Sequence, residues 1–455
     1  MQHMRAKIPL SACLLLIPAF SAAKRPITAT DLYAFRWIAA PQISPDGAKI
    51  VYTRVIVNAK HDGYETSLWI VAANGSAASG GARPLTAGTH DTSPRWSPDG
   101  RTLAFLRAPD QKDKDGKPQP AQIYLLSLDG GEARPLNEMP KGAGGLAWAP
   151  NGQSIAFLST TRAKDFDNKK DSKDDAKDEP ESDVRVIVKA AYRNNGEGYE
   201  EPDRPAHIWT VPVPATLAAA QKAVQITTGE FSESEIVWSR DGSKIYFTSN
   251  RVREPYYEPP HDEIYAVNAA GGGLAKIAAI DGPIHAISLS PDGGRIAFVG
   301  SINHAAGVPQ RSYSQPDLFI ASTEPGAPPR NLTAEYDFDI GGGVGGDQAP
   351  PRGSTPSKPY WSADGHSIFV DSAEEGRANL KRIDAGTGKV SPLTTGDRDL
   401  FSYSATPDGS KAAVLISTPR TSVTFTCSTS HPAGSIASPT SMTICFPSLI
   451  YPNQK

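Results

Sequence analysis

Cysteine is nearly absent, with three residues in 455, at positions 13, 427 and 445. So few exclude a disulfide framework as what holds the fold together. A basic excess is missing too. The 46 lysines and arginines face 49 aspartates and glutamates, for a net charge of −3. No polyanion-binding surface is expected, and nucleic acid drops out as a partner class. The apolar run Ile8 to Phe20 is too short for a comfortable transmembrane helix. It follows Arg5 and Lys7 and precedes Ser21-Ala22-Ala23, so residues 1–23 read as a cleaved secretory signal. The mature chain, from near Lys24, is expected to be periplasmic or secreted, with no membrane contact beyond that signal.

What the chain has in abundance is one turn. Ser44-Pro45-Asp46-Gly47 returns unchanged at 97–100 and 290–293, and in looser form at 149–152, 239–242, 362–365 and 406–409. Ser opens such a turn with a side-chain acceptor, Pro presets φ, Asp suits the third place, and Gly accepts positive φ in the fourth. An apolar residue precedes nearly every copy, among them Trp96, Trp148, Trp238 and Trp361. An apolar run such as Ile50-Val51-Tyr52 or Ile245-Tyr246-Phe247 follows. Strand, tight turn, strand is a β-hairpin. A third run (Leu68 to Val71, Ile264 to Val267) and a fourth (Arg83 to Thr86, Leu274 to Ile277) complete each unit. Four short strands recurring at a near-fixed period predict an all-β fold, a β-propeller of about seven four-stranded blades. The tryptophans before the turns are expected between blades, in the core.

Two intervals are too long and need insertions. Residues 161–183 hold fifteen charged side chains and read as a solvated, disordered loop. Val184 to Val188 reads as a strand. The second insertion, 335–358, is rich in Gly and Pro. The seventh unit starts normally and then loses the pattern. Of the 37 residues from Pro419 to Lys455, thirteen are Ser or Thr and only Arg420 and Lys455 are charged. The propeller is therefore expected to end at 418, and the tail 419–455 to follow a lost reading frame, with no third or fourth strand for the last blade. The open edge this leaves invites aggregation, unless the tail or residues 28–43 supply strands.

The repeats, the opening Thr28 to Tyr33, and Tyr192-Arg193-Asn194-Asn195-Gly196-Glu197-Gly198-Tyr199 with His207-Ile208-Trp209 together resemble the N-terminal region of the prolyl oligopeptidase family. The similarity is greatest to its secreted bacterial dipeptidyl-peptidase and acylaminoacyl-peptidase branch, and covers residues 25–418. It implies a propeller that gates peptide substrates above an α/β-hydrolase domain carrying Ser, Asp and His. This sequence contains no Gly-x-Ser-x-Gly elbow. No catalytic residue carries over, and the chain is expected to be inactive alone, meeting peptides only through a hydrolase domain it lacks. The resemblance also implies that Glu200 and Glu201 hold a substrate ammonium by charge-assisted hydrogen bonds. Glu197 is the alternative, and Arg193 suits a substrate carbonyl or carboxylate. The plainer reading makes all four solvated loop charges. No cofactor is implied. Gly341-x-Gly343-x-x-Gly346 lacks the strand and helix of a dinucleotide site, and His261-Asp262-Glu263 has no partner cluster for a metal. The competing functional class is a stand-alone TolB-like periplasmic propeller that binds proteins.

Overall fold

A computed structural model describes residues 28–74, 81–110, 118–169, 204–216, 219–303, 313–345, 349–418, 421–424 and 443–445, with a few residues between 184 and 201. Among these, the chain forms seven antiparallel meanders, each built around one copy of the turn. Blade 1 runs through Arg36–Ile43, Lys49–Val57, Tyr64–Ala72 and Arg83–Pro84 in that spatial order. Blades 2, 4 and 5 repeat the order without interruption. Blade 3 keeps it across its insertion, because Ser154–Ser159 pairs directly with His207–Pro212. Each blade packs on the next, and blade 7 on blade 1, which makes a closed ring.

The turn works as its residue types require. Ser97 Oγ donates to Asp99 Oδ1 at 2.5 Å and accepts the Thr102 amide at 2.9 Å. Gly100 takes φ +70°, a region open to glycine and costly to other residues. The position also touches its neighbour, since a Cβ on Gly100 would stand 3.5 Å from the Pro45 ring of the preceding blade, an ordinary contact. Gly152 meets Pro98 and Gly242 meets Pro150 in the same way. The turns therefore stack around one end of the ring.

The tryptophans hold neighbouring blades together. The indole N–H of Trp96 donates to the Gln42 carbonyl at 2.9 Å, Trp148 to Arg95 at 3.1 Å, and Trp238 to Ala147 at 3.0 Å. Each bond crosses from one blade to the one before. Blade 5 has Leu289 in place of tryptophan. There Arg240, standing where other turns have proline, reaches forward from blade 4 to the carbonyls of Ser290 (3.0 Å) and Leu289 (2.6 Å). Between blades lie apolar clusters centred on fully buried Phe105, Phe157, Phe247, Phe298 and Phe369.

Every inner strand of blades 1 to 5 carries a bulge whose central residue is left-handed: Ala40, Ser93, Gly145, Glu235 and Ala286, at φ 45° to 59°. Four of these are not glycine, at a cost on the order of 1 kcal/mol each. In blade 6 the chain leaves the sheet at this place. Asp339–Ile340 pairs with Ser372 and Ala373, Gly341 turns away at φ +73°, and the inner strand resumes at Tyr360–Trp361. The Gly/Pro-rich insertion thus opens an existing bulge.

Three expectations change. Val184, Val186 and Ile187 lie outside any strand and are exposed. The strands of blade 3 flanking the insertion already pair with each other and offer it no edge. The charged stretch is not irregular throughout, because Ala163–Lys169 is a 3₁₀ helix. Residues 170–183 lie outside the described residues. The last blade gains a third strand position but, among the described residues, no fourth, so it stays incomplete. Thr421–Thr424 pairs antiparallel, and Thr443–Cys445 parallel, with the same edge of Lys411–Thr418. A bare strand edge presents unpaired amides and carbonyls, and β-branched threonine suits a strand added there.

Candidate functional site

The meander topology gives the ring two unlike ends. The repeated turns and the connections from third to fourth strand lie at one end. The connections from second to third strand, and those between blades, lie at the other. Of the thirteen exposed large apolar residues among the described residues, only Val224 and Leu274 adjoin the turn end. The rest, including Leu32, Tyr33, Phe35, Phe166, Tyr199, Tyr257 and Tyr313, lie on the N-terminal segment or the connections of the open end. Exposed apolar side chains gathered on one surface mark an interaction face.

On that end the blade 3 insertion rises from an ordered root. Arg204 donates to both oxygens of Asp165, at 2.6 and 3.0 Å, with both side chains nearly buried. The guanidinium holds the Asp165 carboxyl below its ordinary range. Phe166 packs near Trp209. Beyond the root, Arg193–Asn194 and Gly198–Tyr199 form a small hairpin. Its exposed Arg193 lies 5.7 Å over the Tyr199 ring, with Tyr192 beside it. Glu201 is exposed and pairs with Arg204. Behind the root, fully buried Glu233 accepts from Thr227 (2.7 Å), meets His207 Nδ1 (2.9 Å) and pairs with Arg251 (3.3 Å).

Within the ring, polar groups also lie on the inner strands and behind them. Asp371 is buried beside Tyr403, with Asp399 near, and burial first, then the like charge, pushes its carboxyl up to about 6. The Arg95 guanidinium donates to the Pro94 carbonyl at 2.8 Å, and burial lowers its pKa. Lys358 pairs with Glu235 of blade 4 at 3.0 Å. A concavity of about 520 Å³ between blades 1 and 2 includes Arg107. That guanidinium is bound in bidentate fashion by buried Asp91, at 2.6 and 2.8 Å, and is committed to the fold.

No family model matches the chain. It is 31% identical over 241 residues to the uncharacterized peptidase YuxL of Bacillus subtilis, covering 52% of this chain and 33% of that protein. It is 24% identical over 388 residues to dipeptidyl-peptidase 5 of Porphyromonas gingivalis, covering 80% of this chain and 49% of that one. The fold superposes on the β-propeller domain of the trilobed protease from Pyrococcus furiosus, described as having an open velcro topology. The TM-score is 0.53 at 17% identity, covering 86% of this chain and 92% of that one. The chain matches the propeller region of prolyl oligopeptidase-type peptidases. It spans a third to a half of the length of these two curated relatives.

Of the residues expected to bind substrate in such a propeller, Arg193 and Glu201 sit on the exposed insertion at the open end. Glu197 and Glu200 lie outside the described residues. The structure does not bring Arg193 and Glu201 to one partner, since Arg193 stacks on Tyr199 and Glu201 belongs to the root. Sequence reading missed Asp165, Arg204 and Asp371. The one available signal was Phe166, a lone aromatic in a charged stretch, which marks the point where that stretch meets the blade.

Proposed function

We propose that this chain is the substrate-gating propeller of an exported serine-type oligopeptidase or dipeptidyl peptidase, and is not catalytic by itself. The observation that carries the reading is the 388-residue match, which lays most of this chain on half of a dipeptidyl-peptidase. The one-sided gathering of insertions and exposed aromatics supports it, because that end is built to face something and the turn end is not. Residues 1–23 direct export. Peptide substrates are the partners, and the exposed Arg193 and Glu201 at the open end suit a peptide's carboxylate and ammonium.

The test is equilibrium binding of fluorescent dipeptides to decapeptides by the purified chain, followed by anisotropy, with chromogenic dipeptides assayed alongside. Saturable peptide binding without turnover is expected. Failure to bind any peptide, or capture of a folded protein instead, overturns the reading in favour of a protein-binding module. Turnover blocked by a fluorophosphonate overturns the non-catalytic part. For export, N-terminal sequencing of the product made in a bacterial host is expected to start near Lys24. A cytoplasmic product retaining residues 1–23 contradicts it.

A further inference from the structure

The ring closes without an exchanged strand. Among the described residues, blade 1 is built wholly from residues 36–84 and blade 7 wholly from 399–445. They meet through the Ile43 amide donating to Ser404 Oγ at 2.9 Å, and through a small apolar cluster holding Ile38, Tyr52, Ala413 and Leu415. At the turn end, Lys411 also lies against Gly47.

The blade 6 insertion crosses this seam at the open end. Val344 donates its amide to Asp399 Oδ1 of blade 7 at 3.1 Å. Further on, Arg352 lies 5.6 Å over the Tyr64 ring of blade 1. Gly353 approaches the same blade so closely that a Cβ on it would stand 2.9 Å from Thr53 Cγ2 and 3.8 Å from the Ala39 Cβ. Ser357 Oγ then accepts the Tyr403 amide of blade 7 at 3.1 Å. Lys358 reaches across to Glu235 of blade 4, a 3.0 Å ion pair without hydrogen-bond alignment, before the inner strand resumes. One segment therefore touches blades 1, 4 and 7 while rooted in blade 6. Residues 349–359 contain four prolines and no strand, so no backbone ladder holds them down. Among the described residues, what holds them to other blades is one partly buried ion pair, one cation–π contact, the hydrogen bond from the Tyr403 amide and the close approach of Gly353 to Thr53, each weak.

We propose that residues 349–358 are a releasable clasp, which holds blade 1 to blade 7 and covers the channel mouth at the open end. Released, it frees the seam and the mouth together. That a peptide then passes rests on the function proposed above. The device itself does not.

Hydrogen exchange on the full chain tests it. The double variant Arg352→Ala/Lys358→Ala is expected to speed exchange in 36–43 and 399–405 on the order of tenfold, with the inner strand of blade 3 unchanged. Unchanged seam strands, or a uniform rise in all blades, overturns the proposal. Should that variant not fold, Thr53→Cys/Gly353→Cys with Cys427→Ser/Cys445→Ser decides. The Thr53 Cβ lies 3.5 Å from where a Gly353 Cβ would sit, within disulfide reach. Oxidation is expected to slow seam exchange on the order of tenfold against the reduced protein. Equal rates overturn the clasp. Labelled decapeptide added to both states separates the two claims. Slower binding in the oxidised state supports gating by the clasp, and equal binding rates refute it. If neither state binds, the peptide reading fails, and the exchange rates still decide the clasp.

Discussion

At the turn end of the ring, the polar groups of the repeat find partners inside their own turn or at the matching place one blade away, so the pattern repeats. Ser97 and Asp99 satisfy their own turn, Gly100 rests on Pro45, and Trp96 reaches back to Gln42. At the open end the partners follow no repeat: Asp165 and Arg204 belong to one insertion, and Glu235 and Lys358 meet across the ring. The contrast shows how a repeat protein divides its labour. The end that closes itself locally can be copied seven times. The end that depends on distant contacts is free to vary from blade to blade, and that is where insertions and exposed aromatics gather.

The largest effect should come from the core that both ends share. Phe247 is fully buried and stacks on Tyr265. Phe247→Ala is expected to cost roughly 3–5 kcal/mol, read as a lower urea midpoint at unchanged slope. If the slope falls as well, the blades unfold separately, and the two ends are not coupled through the core.

The turn carboxylates and the ring interior should also differ in the sign of their pH dependence. The turn carboxylates Asp46, Asp99, Asp292 and Asp364 lie below their ordinary values, chiefly through their Ser hydrogen bonds, with burial opposing. Their contribution is present above the unfolded carboxylate range and is lost as the pH falls through the folded values. Asp371 is raised to about 6 by burial. The folded state therefore favours its protonated form, and that contribution is lost as the pH rises from about 4 through about 6. Asp371→Asn mimics the protonated form. It should stabilise the chain at pH 8 by roughly 1–3 kcal/mol and leave it unchanged at pH 4. A thermal-melt series across that range checks it, and equal shifts at both pH values would refute the assignment.

Arg240→Ala tests whether the blade 4–5 junction is held as the others are. Loss of two charge-assisted bonds to carbonyls, one end of each near solvent, should cost roughly 1–2 kcal/mol. Trp238→Phe, which keeps the packing, should cost about 1 kcal/mol by leaving the Ala147 carbonyl unpaired. Denaturant midpoints give both. An unaffected Arg240→Ala chain would mean that apolar packing alone holds that junction.

The turn end was legible in the sequence because its chemistry is local. Ser, Pro, Asp and Gly act within four residues, and the period repeats them often enough to count blades. Arg240 was visible only as an imperfect turn, since the bond that explains it lies 50 residues away. The bulge was hidden because Ala40, Ser93, Glu235 and Ala286 share a conformation and no side chain. Asp165 looked like one more charge in a charged stretch. Nothing near it announces Arg204, 39 residues on. The outer strands of blade 7 were missed because pairing with an open edge asks little of side-chain pattern.

The smallest expected change in stability belongs to the exposed hairpin. Tyr199→Ala and Arg193→Ala remove contacts between side chains that are already in water, so each should cost less than about 0.5 kcal/mol. If the open end is where peptides meet this propeller, the same two variants should weaken peptide binding several-fold, while Phe247→Ala weakens it only in proportion to the unfolded fraction. Anisotropy titrations at a temperature where every variant is folded separate the two. Binding that survives both hairpin changes moves the contact from the blade 3 insertion to the inner strands, where Glu235 and Lys358 become the residues to change next.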